Sequence, residues 1–231
     1  MLQFLREAIR DFRTTGAVLP SSRLLARAMT RSLSAAPSPR RILEVGPGTG
    51  PFTREILGTL RDGDVYDIVE INPAFCEQLE RTLLAPYRAR ATGARVALHR
   101  SPIEDACVDG QYDFVVCGLP FNNFPPTLVR SIFRRIFALM RTGGELCYFE
   151  YAGVRTVKAP LVGSEGRRRI RGHDIIARRH ARDHALTREL VLGNVPPAFA
   201  VRLVKSEPAR RARGGAMRAV RDSRSAPAIL P

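Results

Sequence analysis

The stretch E-V-G-P-G-T-G at residues 44–50 sets an acidic side chain, Glu44, two positions ahead of three alternating glycines. Gly46 permits a tight turn, and Gly48 and Gly50 let a ligand approach the backbone closely. A dinucleotide turn wants G-x-G-x-x-G and a helix N-terminus open to pyrophosphate. Here the spacing is G-x-G-x-G, and a carboxylate at this place repels pyrophosphate but suits a ligand that carries positive charge. Glu70 closes a second apolar run, VYDIVE, where its two oxygens can accept both hydroxyls of a ribose. The chemistry these residues call for is the binding of a cationic nucleoside.

The elements that hold them alternate in kind. RILEVG (41–46) reads as a strand running into a Gly-rich turn and the helix beginning PFTREIL. VYDIVEIN (65–72), RVALHR (95–100), YDFVVCGL (112–119) and GGELCYFEY (143–151) read as further strands, with helices PAFCEQLERTLLAPY and PTLVRSIFRRIFALM among them. Such alternation predicts a parallel sheet covered on both faces. ALTRELVLGN (185–194) and AFAVRLVK (198–205) look like a closing antiparallel pair, for seven strands in all. Ahead of the core, residues 2–13 carry Leu2, Leu5, Ile9 and Phe12 at helical spacing. Ser21 or Ser22 can cap a second helix, RLLARAMTRSL. Residues 155–182 are rich in Arg and Gly and read as a loop with a short helix. From Ser206 the composition predicts disorder. The expected layout is therefore N-terminal helices and an active-site cover (1–40), a catalytic domain (41–205) and a basic tail (206–231).

Gly loop, Glu44, strand-ending Glu70 and βα alternation together resemble the class I S-adenosylmethionine-dependent methyltransferases over roughly residues 40–151. The resemblance implies a Rossmann-like α/β fold and S-adenosylmethionine as cofactor. It also implies that Gly46, Gly48 and Gly50 back the methionine portion with Glu44 nearby, and that Glu70 holds the ribose. The family's acidic residue for adenine falls in HRSPIED, where Ser101 stands at the expected position and Glu104 and Asp105 lie just downstream.

CGLPFNNFPP (117–126) leaves the fourth strand where an acceptor meets the methyl group. It nearly spells the Asn-Leu-Pro-Phe with which adenine amino methyltransferases polarise a ring amine, but Gly118 replaces the Asn. A saturated amine needs no such help: once deprotonated it is nucleophilic, and the site has only to align it and exclude water. The turn at Leu119 can do so with a backbone carbonyl, and Asn122 and Asn123 can add side-chain carbonyls. At the end of strand five, Glu150 can attract an ammonium and Tyr151 can add a hydroxyl or a cation–π face.

TGAVLPSSRLLARAM, LEVGPGTGPFTREIL, VEINPAF, GLPFNNFPP, GGELCYFEY and NVPPAFAVRL stand in the order seen in bacterial phospholipid N-methyltransferases, a resemblance spanning roughly residues 1–205. That resemblance implies methylation of the headgroup amine of phosphatidylethanolamine, a first helix on the membrane, and a cover at 15–22. Phe-Asn-Asn-Phe after Gly-Leu-Pro and Tyr-Phe-Glu-Tyr at the end of strand five depart from the family and add polarity, which brings ornithine lipid in as an alternative acceptor. A nucleic-acid adenine methyltransferase is the alternative from another class. Gly118, the absence of Trp and the lack of a basic strip interleaved with aromatics argue against it, and no nucleic-acid or obligate protein partner is expected.

Charge points the same way. The formal net charge is +15, yet residues 42–154 hold 11 Arg against 14 acidic residues, so the excess lies in the flanking arms. Basic arms around a mildly acidic middle suit an anionic bilayer, with residues 1–13 inserting shallowly. No run approaches a membrane span, and MLQFLREAIRDF lacks the apolar core of a secretory signal. The expected location is the cytoplasm, peripheral to the inner face of the membrane. Cys76, Cys107, Cys117 and Cys147 lack C-x-x-C spacing and read as buried, reduced thiols. His173, His180 and His184 read as solvated surface, and no metal site is expected.

Overall fold

The computed structural model describes residues 21–90, 92–152 and 164–207. The helix expected at 2–13, most of the cover at 15–22, residues 155–163 and the tail from 208 lie outside those residues. Helix α1 (Arg23–Ala35) begins at Ser22, whose hydroxyl accepts from the Leu25 N–H at 3.1 Å, the cap its position promised. Leu25, Met29 and Leu33 form the face it buries.

Seven strands follow: β1 (Arg41–Val45), β2 (Val65–Val69), β3 (Arg95–His99), β4 (Tyr112–Cys117), β5 (Met140–Tyr151), β6 (Ala185–Val191) and β7 (Ala198–Val204). Their order is β3-β2-β1-β4-β5-β7-β6, with β7 antiparallel to both its neighbours and the other pairs parallel. Helix α2 (Pro51–Leu57) follows β1. After β2 come α3 (Pro73–Leu79), a π-helical turn (Glu80–Leu84) and α4 (Ala85–Arg88), which replace the single helix expected there. Helix α5 (Pro126–Leu139) joins β4 to β5. One apolar cluster packs α1 and α2 on the sheet through Leu25, Phe52 and Phe149. The other packs α5 on the opposite face through Ile132, Phe133 and Tyr148. The sheet order reverses beside β1, so the ends of β1 and β4 open the crevice where ligands bind in such sheets.

Below that edge, Arg40 and Asp64 form a buried ion pair. Asp64 accepts from the Arg40 N–H at 2.8 Å, from Arg40 Nε at 3.1 Å and from Arg40 Nη2, and also from the Arg61 N–H at 2.9 Å. The guanidinium donates onward to the carbonyls of Leu33 and, at 2.7 Å, Thr59. One pair thus ties the end of α1 to the entries of β1 and β2.

Three more expectations change. Residues 164–183 form a 20-residue helix, α6 (Ser164–Asp183), in place of a loop with a short helix. Its inward stripe is Ile176, His180 and, one turn on, His184. His180 stacks on Phe133 at 4.6 Å and on Phe137 at 5.0 Å, and His184 stacks on Phe137 at 4.3 Å. Flat imidazole faces take the places of apolar side chains, so apolar spacing alone did not reveal the helix. These histidines are therefore not solvated surface; burial, with the neighbouring His184 and Arg179, lowers the His180 pKa to about 4. His173 also turns inward, its Nε2 lying 3.0 Å from the Phe124 carbonyl. Among the cysteines, Cys76, Cys117 and Cys147 are buried but Cys107 is exposed.

Candidate active site

Gly46, Gly48 and Gly50 all hold positive φ, at 68°, 58° and 85°. The Gly46 N–H donates to the Val69 carbonyl at 2.9 Å, and the Gly48 N–H donates to Glu70 Oε2 at 3.1 Å. Glu70 Oε1 accepts from the N–H groups of Ile71 at 2.9 Å and Asn72 at 2.8 Å. Glu70 is thus the peg that fixes the glycine turn to the end of β2. Three of its roughly four acceptor positions are used by backbone, which leaves one, on Oε2, for a ligand hydroxyl. Burial raises the Glu70 pKa against the pull of the same backbone donors.

Glu44 lies sealed beneath the turn, fully buried. Its Oε2 accepts from Thr53 Oγ1 at 2.8 Å and from the Tyr66 hydroxyl, while Oε1 has no partner among the described residues. Burial above all, with the Glu70 charge adding to it, raises its pKa to about 7. The side chain does not reach the ligand cavity, so any influence on a cation bound there passes through the turn.

That cavity is lined by Gly46, Glu70, Ser101, Glu104, Leu119 and Ile132, among others. Ser101 lies on the wall shared with Glu70. The residue that sequence reasoning passed over is Glu104. A turn closed by the Asp105 N–H on the Pro102 carbonyl brings it back to the cavity, and both its carboxylate oxygens are buried without a hydrogen-bond partner among the described residues. A buried carboxylate without donors is costly, so the cavity presents two acceptors that a ligand's N–H groups would satisfy. The sequence signal was an acidic residue three positions beyond the expected one, carried back by a Pro-initiated turn. Gly48 offers the complementary surface: a Cβ built there meets nothing within 4 Å, so the turn is open to a ligand on that side. Gly50 faces a different cleft, lined with Thr49, Arg23 and Arg54.

At the acceptor side, Gly118 has a steric reason of its own. A Cβ on it would lie 2.5 Å from the Gly46 carbonyl oxygen and 3.2 Å from Phe52. The ends of β1 and β4 touch backbone to backbone there, joined by the Gly118 N–H donating to the Val45 carbonyl at 2.8 Å. We expect Gly118→Ala to lower stability by about 1–3 kcal/mol, the usual cost of overpacking, read as a lower thermal unfolding midpoint. Gly118→Asn, which restores the tetrapeptide, lowers it further and brings no adenine methylation.

The Leu119 carbonyl accepts from the Phe121 N–H at 3.0 Å, which leaves one lone pair for a ligand. Phe121 and Phe124 point inward, Phe121 packing on Phe133 at 4.8 Å and edge-on to Tyr148 at 5.7 Å. The loop is therefore pinned by its aromatic residues, and Asn123 is exposed between them. Asn122 sits in a short 3-10 turn (Phe121–Asn123), and its side chain lies outside what is described. Glu150 and Tyr151, which the sequence set side by side, leave β5 on opposite faces. Glu150 pairs with Arg188 at 3.0 Å, whereas Tyr151 packs edge-on to Phe149 at 5.2 Å on the α1 face.

Comparison with known proteins agrees with this geometry. Residues 19–186 match a family model described as "Methyltransferase domain". The chain is 26% identical over 141 residues to an ornithine lipid N-methyltransferase of Singulisphaera acidiphila, covering 61% of this chain and 72% of that protein. It is 30% identical over 113 residues to the polyketide synthase-nonribosomal peptide synthetase pyiS of Pyricularia grisea, spanning 47% of this chain but 3% of that far longer protein. In fold it is similar to the O-methyltransferase TomG of Streptomyces achromogenes, solved in complex with S-adenosylmethionine, with a TM-score of 0.58, 18% identity and 87% of each chain covered. A glycine turn pegged by Glu70, a recess edged by Glu70 and Glu104 and a match over most of its length agree: this chain belongs to the S-adenosylmethionine-dependent methyltransferase domain family.

Proposed function

We propose that this chain transfers the methyl group to the headgroup amine of a membrane aminolipid. The observation that carries the choice of a saturated amine is Gly118, which stands where backbone meets backbone. There is no room at the head of the acceptor loop for the amide that a ring amine requires. The relative named an ornithine lipid N-methyltransferase, aligned over 72% of its length, supports a lipid acceptor. The matches to polyketide synthases cover about half of this chain and no more than 5% of those far longer proteins.

The cofactor, when bound, supplies a methyl carbon made electrophilic by its sulfonium. Around it the chain's own groups divide the work. Gly46 and Gly48 back the methionine portion, the remaining acceptor position on Glu70 takes one ribose hydroxyl, and Ser101 with Glu104 receives the adenine amino group. Across the Gly118 junction, Leu119 offers its second lone pair to the N–H of the acceptor, and Phe121 and Phe124 hold that carbonyl in place. Glu150, held by Arg188, serves the charge balance of the rim. The ammonium gives its proton to water before the amine is enclosed, so no side chain need act as a strong base.

Phosphatidylethanolamine is the acceptor that the sequence resemblance implies, and ornithine lipid the one that the relative's name favours. Both present a primary amine on saturated carbon near an anionic group. On this reading the chain works at the inner face of the cytoplasmic membrane, its basic arms against anionic lipid. The test is transfer from methyl-labelled S-adenosylmethionine to each lipid in mixed micelles. Label extracted with one of the lipids is expected. Label in neither lipid, with transfer to an adenine-containing RNA, would overturn the proposal.

A further inference from the structure

The turn between β6 and β7 carries two of the most exposed large apolar side chains among the described residues, Leu192 at 71% and Val195 at 68%. Leu24, at the start of α1, is 55% exposed and packs against the same turn, where a Cβ on Gly193 would lie 2.3 Å from its Cδ1. The turn is firmly built. Asn194 is buried, accepting from the Ser22 N–H at 2.8 Å through Oδ1 and donating from Nδ2 to the Pro196 carbonyl at 2.8 Å. The Ala152 N–H donates to the Pro197 carbonyl at 2.7 Å, which fixes the turn to the end of β5. Three apolar side chains thus stand outward on a rigid support, and burying them in the domain is not what holds that support together.

Their place in the fold says what they face. The turn joins the end of β6 to the start of β7, and Ala198 of β7 pairs with Tyr151 at the end of β5. It therefore lies on the same edge of the sheet as the glycine turn. Beside it Arg23 lines, with Arg54 and Thr49, the cleft that borders Gly50. Neither arginine has an ion pair among the described residues, and the chain as a whole carries a formal charge of +15. Glu55, the one acidic residue lining that cleft, pairs with Arg27 at 3.9 Å. Apolar side chains at a tip with arginines beside them match the two layers of a bilayer surface, acyl chains beneath anionic headgroups.

We propose that Leu24, Leu192 and Val195 form a membrane-docking tip that seats the active-site edge on an anionic bilayer. This rests on the lipid reading above and adds to it a contact surface independent of residues 1–13. A rigid tip on the catalytic edge fixes the distance from bilayer to acceptor loop.

The chain contains no Trp, so Leu192→Trp gives a single-tryptophan reporter in the full-length protein. With vesicles of phosphatidylcholine and phosphatidylglycerol in equal parts, its emission is expected to shift to the blue and to be quenched by lipids brominated along their acyl chains. Phosphatidylcholine vesicles alone produce little change. In flotation with the mixed vesicles, Leu192→Asp combined with Val195→Asp is expected to lower partition at least tenfold. The same double variant keeps its S-adenosylmethionine affinity and unfolding midpoint, and it still methylates a short-chain monomeric aminolipid. Unshifted emission, or flotation that the double variant leaves intact while deletion of residues 1–13 abolishes it, would overturn the proposal. So would concentration-dependent self-association that buries the reporter without vesicles, since the tip would then belong to a second copy. A tip that docks while neither aminolipid is methylated would leave the surface standing and remove the acceptor assignment.

Discussion

Replacing Glu70 with Ala lowers affinity for S-adenosylmethionine at least about 100-fold, measured by calorimetry. The magnitude follows from what the carboxylate holds. Without it the N–H groups of Gly48, Ile71 and Asn72 lose their acceptor together. An unsatisfied buried donor costs about 1–3 kcal/mol, and a tenfold change in affinity takes about 1.4 kcal/mol. Losing the Gly48 tie alone lets the glycine turn relax away from the ribose, before the missing ligand contact is counted. Glu70→Gln lies between the two. Its amide oxygen can still serve Ile71 and Asn72, but its NH2 group then meets the Gly48 N–H, donor against donor. A circular-dichroism melt run in parallel separates a loosened turn from an unfolded chain. Wild-type affinity in the Ala variant would show that the turn is held by something else and that Glu70 does not touch the ribose.

The largest effect on stability is expected at Asp64. Asp64→Ala leaves the Arg40 guanidinium buried, at 1% side-chain exposure, with its charge uncompensated. Removing one partner of a buried pair typically costs about 3–5 kcal/mol, a large part of the 5–15 kcal/mol that a whole domain usually has. A denaturation midpoint displaced to much lower urea checks this. The companion variant is as informative. Arg40→Met with Asp64→Leu removes both charges and regains much of the loss, because an apolar pair of similar volume has no desolvation to offset. If the double variant were as unstable as Asp64→Ala, the backbone bonds from the N–H groups of Arg40 and Arg61 would be the real contribution of the site.

Much of this was legible in the sequence, for physical reasons that differ from element to element. The sheet could be read because buried parallel strands write mostly apolar runs, as RILEV and YDFVVC do. The cap at Ser22 could be read because a hydroxyl before an apolar periodic run has one inexpensive use. Helix α6 could not, since His180 and His184 present flat apolar faces that a polarity pattern counts as polar. Glu104 was hidden for a related reason: a turn, not strand periodicity, decides where it points, and only the fold shows its two oxygens without donors among the described residues. Glu44 was legible as a residue type but not as a location. Two positions ahead of a glycine turn, a carboxylate can point into the crevice or under it, and the packing of Tyr66 and Thr53 decides. Glu150 and Tyr151 are adjacent in sequence, and adjacency on a strand means opposite faces.

The contact between Gly118 and the Gly46 carbonyl has a consequence for how such a scaffold can change its substrate. Where main chain rests on main chain, no side chain can be enlarged, trimmed or recharged, so donor platform and acceptor threshold travel as one unit. Diversification is pushed outward, to the aromatic-pinned segment from Pro120 onward and to whatever closes over it. Descendants that come to methylate different compounds are thus expected to keep this juncture intact and to diverge beyond it.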